Sequence, residues 1–156
     1  MGNTMLDPEK LALEAGEKTR EYKHRGYHCS EAVVRAVTQT LGITVGEDFV
    51  KGACGFFGGA GGSGGRCGIA EVGIMLISLL YGRATPFESE ARVKKLTKCW
   101  LNAFEAEIGA LDCRDIKPGQ VALYGEKIGC EETYAKGAAL LVRFIANAEA
   151  YLNEKA

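Results

Sequence analysis

Cysteine is the residue type in this chain with the most chemistry to offer, and it stands at six positions: Cys29, Cys54, Cys67, Cys99, Cys113 and Cys130. No two of them form a Cys-x-x-Cys pair, which excludes zinc ribbons, thioredoxin-type redox motifs and covalent haem attachment. A shared site would have to be assembled by the fold from separated segments. On ligand type, four thiolates suit zinc and an iron-sulfur cluster equally well, and free thiols suit thiol-disulfide exchange. The first residues, Met1 to Lys10, lack the basic-then-apolar order of a signal peptide, and the longest apolar stretch, Ile74 to Tyr81, is too short to span a bilayer. The expectation is a cytoplasmic address with no membrane partner. In that reducing compartment metal binding or redox chemistry explains six cysteines better than structural disulfides do. The plain alternative is that they are small buried hydrophobes.

The elements that must position these thiols follow from periodicity and capping. Asp7 and Pro8 read as a helix start, with Leu6 able to staple against Leu11, and the first helix is expected to reach about Lys23. Cys29-Ser30-Glu31 opens a second helix with Val33, Val37 and Leu41 on one face, stopped at Gly42. A short turn is expected from Glu47 to Ala53, then a glycine-packed segment from Gly52 to Gly73. From Ile69 to Leu80 apolar residues occur on all sides, the pattern of a buried central helix. Thr85-Pro86-Phe87-Glu88 reads as a capping box opening a long helix with Val93, Leu96, Trp100, Leu101, Phe104 and Ile108 in its stripe. Leu111 to Gly119 is expected to be a loop, and Val121 to Tyr124 could be a short strand without a partner. The last helix starts near Cys130, with Tyr134, Ala138, Leu141, Ile145, Ala148 and Leu152 facing inward. With 156 residues, 47% of them hydrophobic, one core needs no disulfides. The fold class expected is all-α, a single domain over residues 1–156, built as a bundle of about five helices with a glycine-rich loop.

On this map Cys29, Cys67 and Cys130 fall at helix starts, where the partial positive charge of the helix end favours thiolate over thiol. Cys113 falls in a loop. His28, Arg66 and Arg114 would add positive charge beside three of these thiols. Helix starts are frequent in a bundle, so chance placement is the competing explanation.

Four segments carry a resemblance. Gly26-Tyr27-His28-Cys29-Ser30-Glu31-Ala32-Val33, Arg66-Cys67-Gly68-Ile69-Ala70-Glu71-Val72-Gly73, Ile108-Gly109-Ala110-Leu111-Asp112-Cys113-Arg114-Asp115 and Gly129-Cys130 together resemble the redox-active protein family named for its C, GCAxxG, C, C cysteine pattern, found also in part of the split-Soret cytochromes. Gly68 directly follows Cys67 and Ile69 precedes Ala70, so the middle motif matches the family pattern loosely. The resemblance implies a redox or electron-transfer role with Cys29, Cys67, Cys113 and Cys130 as the cofactor-binding and metal-ligating set. By analogy with the split-Soret relatives it implies an iron-sulfur cluster, while ligand type keeps zinc as the alternative cofactor; a redox partner protein is unidentified, and the analogy, the all-apolar helix and the aromatics together point to a homodimer. Cys54 and Cys99 lie outside the set and are expected in the core, Cys54 doubling as a spare ligand.

Other signals are weaker. Gly59-x-Gly61-x-x-Gly64 satisfies a dinucleotide-binding pattern without the preceding strand it needs, and no Lys-Ser or Lys-Thr follows the glycines as in a P-loop. Such small residues let backbone pass close to a cluster or a partner subunit; a mobile surface loop is the alternative. Glu71, alone among apolar neighbours, needs a partner such as Arg66 if buried. His24 and His28 are expected to be exposed, His28 doubling as a ligand or proton donor beside Cys29. Tyr27 and Trp100 read as core or interface aromatics. Nineteen basic and twenty acidic residues leave a net charge of -1 without runs of one sign, so no nucleic-acid partner is expected.

Overall fold

The computed structural model describes residues 7–155. Among them stand eight α-helices: α1 (Pro8–His24), α2 (Cys29–Leu41), α3 (Glu47–Lys51), α4 (Gly68–Tyr81), α5 (Ala91–Ile108), α6 (Cys113–Tyr124), α7 (Glu131–Ala146) and α8 (Ala148–Asn153), with a 3₁₀ turn over Cys54–Phe56. The all-α expectation holds, and the count of about five does not. Two of the extra helices, α3 and α8, are short, and α6 occupies the stretch read as a loop and a strand. No helix of the described residues is long and apolar enough to cross a membrane.

Three boundaries differ from the sequence reading for identifiable reasons. Pro118 and Gly119 argued for a loop, because an interior proline removes one backbone N–H and crowds the preceding turn. Here α6 runs through Pro118 all the same, anchored by buried Ile116 and by its own start, where the Ile116 and Asp115 N–H groups donate to the Asp112 carbonyl at 3.1 and 3.0 Å. The capping box forms in part: the Glu88 carboxylate accepts from the Ala84 and Thr85 N–H groups at 2.6 and 3.3 Å, but this closes a turn, and α5 starts only at Ala91. The last helix breaks at Asn147, whose side-chain amide donates to the Arg143 carbonyl at 2.8 Å and so competes with the backbone ladder. Leu6, the proposed staple, lies outside the described residues.

The core fits the predicted stripes. Leu96, Trp100 and Phe104 of α5 are buried against Val72, Leu76 and Ile77 of α4 and Leu141 and Phe144 of α7. The last turn of α4 departs from the reading of a fully buried helix, since Leu79 and Leu80 are exposed. Glycines set the closest helix approaches. A Cβ on Gly73 would lie 2.1 Å from the Trp100 ring, whose indole N–H donates to the Ala70 carbonyl at 2.9 Å, and a Cβ on Gly137 would lie 2.6 Å from Ile69. α1 lies along α7 and α2, and α2 lies against α4 and α7. Arg20 and His24 of α1 reach Glu132 and Glu131 at the start of α7, Arg20 to Glu132 at 2.8 Å, which fixes the end of α7 that carries Cys130. The guanidinium beside Glu132 holds its carboxyl below the usual range.

Candidate functional site

The glycine run winds into a hydrogen-bonded coil. Gly58, Gly59, Ala60, Gly61 and Gly62 all have left-handed φ, from 59° to 77°. L-residues avoid a left-handed turn because Cβ crowds the following carbonyl, so a succession of them needs glycine. Hydrogen bonds close the coil, with the Gly61, Gly64 and Gly65 N–H groups donating to the carbonyls of Gly55, Gly58 and Gly59 at 2.9, 3.0 and 2.9 Å. A Cβ on Gly59 would stand 2.3 Å from the Gly65 carbonyl oxygen. The coil then pairs with the start of α6. Arg66 bridges antiparallel to Asp112, the Cys67 N–H donates to the Leu111 carbonyl at 2.7 Å, and the Cys113 N–H donates to the Gly65 carbonyl at 2.8 Å. Cys67 and Cys113, distant in sequence, are thereby clamped side by side.

All four cysteines of the expected set line one cavity of about 320 Å³. Each sits at a helix start: Cys29 and Cys113 are the first residues of α2 and α6, and Cys67 and Cys130 cap α4 and α7. Cys113, read as a loop residue, therefore joins the other three as a helix-start thiol. Gly68 explains how close the walls come. A Cβ there would lie 3.0 Å from the Cys29 sulfur and 2.8 Å from the Phe56 carbonyl oxygen, so only glycine lets α4 begin against Cys29.

Cys54 and Cys99 stay outside the cavity. Cys99 is half-buried against the core as expected. Cys54 is exposed at the 3₁₀ turn rather than in the core, and the neighbouring Glu31 carboxylate pushes its thiol upward. Of the expected cations, only His28 lines this cavity. Arg66 pairs with half-buried Glu71 at 3.1 Å, and the Arg114 Nε–H donates to the Gly64 carbonyl at 2.8 Å. His28 lines the cavity, its ring stacked on Phe57 at 4.5 Å, and its backbone N–H donates to the Glu31 carboxylate at 2.9 Å. Three lysines line it instead, Lys23, Lys117 and Lys127, with Tyr134. Two of these had a signal in the sequence: Lys117 and Tyr134 each follow a site cysteine by four residues, one helical turn on the same face. Lys117 was hidden because α6 was read as a loop.

Burial overrides the helix-end effect on the thiols. It pushes Cys67 up to about 12 and Cys130 up to about 11 from 9.0, and raises Cys29 as well. The N–H groups of Ile69 and Ala70 at Cys67, and of Gly58 and Ser30 at Cys29, act in the opposite direction and lose. Burial thus works against the thiolate preference of the three helix starts and favours the protonated thiol in the metal-free chain. A consequence for stability follows. The unfolded chain releases these protons near pH 9 while the folded chain keeps them, so the stabilisation is complete below pH 9 and is lost as pH rises through about 11 and 12. Thermal melts of the metal-free protein are expected to fall steeply above pH 9, and Cys67→Ala is expected to flatten that fall.

A protein-family model described as "Putative redox-active protein (C_GCAxxG_C_C)" matches residues 27–144, a span that holds all four cavity cysteines. The chain belongs to this family. The C_GCAxxG_C_C match runs from the residue before His28 to the last turn of α7, leaving all of α1 and α8 outside it. Comparisons with curated proteins and with solved structures gave no match.

The donor set can be weighed against the cofactors its chemistry suggests. A single zinc with bonds of about 2.3 Å would hold its thiolates about 3.8 Å apart. Among the described residues no three His, Cys, Asp or Glu side chains stand close enough to hold one metal ion. A cluster places several irons and sulfides between its cysteines and so accepts wider spacing. All-thiol donors around one cavity fit such a group.

Proposed function

We propose that this protein is an electron-transfer protein that ligates an iron-sulfur cluster through Cys29, Cys67, Cys113 and Cys130. The observation that carries the reading is the convergence of four thiols, each from a different helix start, on one cavity. When bound, a cluster takes up and releases single electrons at sulfur-ligated iron. The chain supplies what its negative charge needs: four helix N-termini and the lysines Lys23, Lys117 and Lys127. Burial of Cys29 and Cys67 keeps water from the inner wall. Metal-free thiol-disulfide exchange fits less well, because thiols raised by burial are poor nucleophiles at neutral pH. A structural zinc would need its four sulfurs drawn closer together. Anaerobic reconstitution followed by iron and acid-labile sulfide analysis tests the proposal. Stoichiometric iron and sulfide support it, and colourless, iron-free protein overturns it.

Tyr134 offers a finer readout. Its phenol is half-buried, pushed upward by burial and then by the nearby Cys29, Cys130 and Cys67 sulfurs. The hydroxyl is thus a proton-bearing donor facing the ligands. A hydrogen bond to a ligand sulfur favours the more negative, reduced state, so its loss makes reduction harder. Tyr134→Phe is expected to lower the midpoint potential by on the order of tens of millivolts while iron content stays unchanged; an unchanged potential would remove the phenol from the site.

A further inference from the structure

Cys113 stands on the wall between two cavities. Beyond it lies a second, wider one of about 550 Å³, which shares Gly58, Gly62, Lys117 and Glu126 with the first. We propose that this second cavity binds a small oxyanion, a carboxylate or a phosphate, held by Arg114 and Lys117 beside the Cys113 sulfur. Its volume lies within the range of about 300–1,000 Å³ common for small-ligand sites. The two cations follow Cys113 by one and four residues at the start of α6. Among the described residues neither enters an ion pair, although the other arginines near the site do. The Arg114 Nε–H is fixed on the Gly64 carbonyl, which fixes the guanidinium plane and leaves its outer N–H groups to point at a ligand. Glu126 is the only carboxylate of the lining, so positive charge prevails two to one. Pro118, Val121 and Ala122 form an apolar wall for a carbon skeleton. An anion bound there lies one sulfur away from the first cavity, the position of a small substrate for whatever that cavity holds.

The inference rests on the second cavity alone, so it is tested on the full-length, metal-free, reduced chain and stands or falls separately from the cluster reading. The probes are iodoacetate and iodoacetamide, alike in size and differing in charge, with alkylation of Cys113 followed by peptide mass mapping. The iodoacetate rate is expected to saturate with concentration while the iodoacetamide rate stays linear. At low concentration their ratio should exceed that of 2-mercaptoethanol by about tenfold, as expected in a cation-lined cleft. The ratio cancels any change in thiolate fraction. Lys117→Gln, which leaves the Arg114 contact to Gly64 in place, should lower it by about threefold, and Arg114→Gln with Lys117→Gln should abolish saturation. Inorganic phosphate and acetate, added separately, should each slow alkylation, and the one effective at lower concentration names the oxyanion. Linear iodoacetate kinetics, saturation that survives the double substitution, or absence of protection by both anions would overturn the proposal.

Discussion

A Cys67→Ala variant is expected to fold and to hold no iron. Cys67 caps α4, is 7% exposed, and lines the cavity with the other three cysteines. Removing it takes one donor from the proposed four-thiol set and leaves an apolar methyl facing the cavity. Loss of a single supporting contact around a metal lowers affinity by about 10–100-fold, and loss of a ligand by more. Iron and sulfide content after anaerobic reconstitution should therefore drop at least about tenfold. The fold should survive, because a small side chain becomes another small one in a site that packs against core without spanning it. A thermal melt of the metal-free variant below pH 9 checks this. Cys99→Ala is the control: it touches the core and not the cavity, and should keep its iron. Full iron content in Cys67→Ala would refute the assignment of this ligand, and equal loss in Cys99→Ala would point to a general defect in folding.

Gly73→Ala is expected to be the most destabilising single-methyl change in the core. The added Cβ would lie 2.1 Å from Nε1 and Cε2 of Trp100, far inside contact distance. Trp100 cannot retreat. It is fully buried, packs its ring 5.7 Å from Phe104 and 5.6 Å from Phe144, and is tied by its indole N–H to the Ala70 carbonyl. Overfilled cores lose about 1–3 kcal/mol and sometimes more. A clash with an immobile ring, with that hydrogen bond at stake, belongs at or above about 3 kcal/mol, a large part of the roughly 5–15 kcal/mol that holds a domain of this kind together. Chemical denaturation should show the loss as a shifted midpoint. Gly119→Ala, in α6 with nothing within 4 Å of its added Cβ, should instead leave the midpoint unchanged or move it upward, a gain in stability of up to about 1 kcal/mol through helix propensity.

Much of this was legible in the residues. The stripes of α2, α5 and α7 gave the core, and cysteines at helix starts gave the candidate site, because burial and capping leave local marks. The four thiols share a cavity, but nothing local in Cys29 or Cys130 says that their helices meet; that placement came from the family resemblance. What stayed hidden depended on tertiary partners. α6 defeats its own Pro118 because Ile116 and the glycine coil hold its first turn, and propensity contains neither contact. The break at Asn147 turns on which carbonyl one side chain reaches. The upward push on the thiols was not legible, because a helix end is marked locally whereas desolvation comes from the whole enclosure. Lys23 and Lys127, which follow no site cysteine by one helical turn, needed the cavity to be drawn before they could be seen to line it.

The thin attachment of α6 gives Cys113 a different footing from the other three thiols. α2, α4 and α7 lie against one another, so Cys29, Cys67 and Cys130 belong to a wall that forms with the core. Cys113 arrives differently, on a helix that no other helix covers broadly and that is moored at its first turn by Gly64 and Gly65. The chain thus builds a three-sided cup with a latch. Iron and sulfide would load from the α6 side, and closure by the fourth sulfur would turn a peripheral helix into a cross-linked part of the whole, with the glycine coil as its hinge pin.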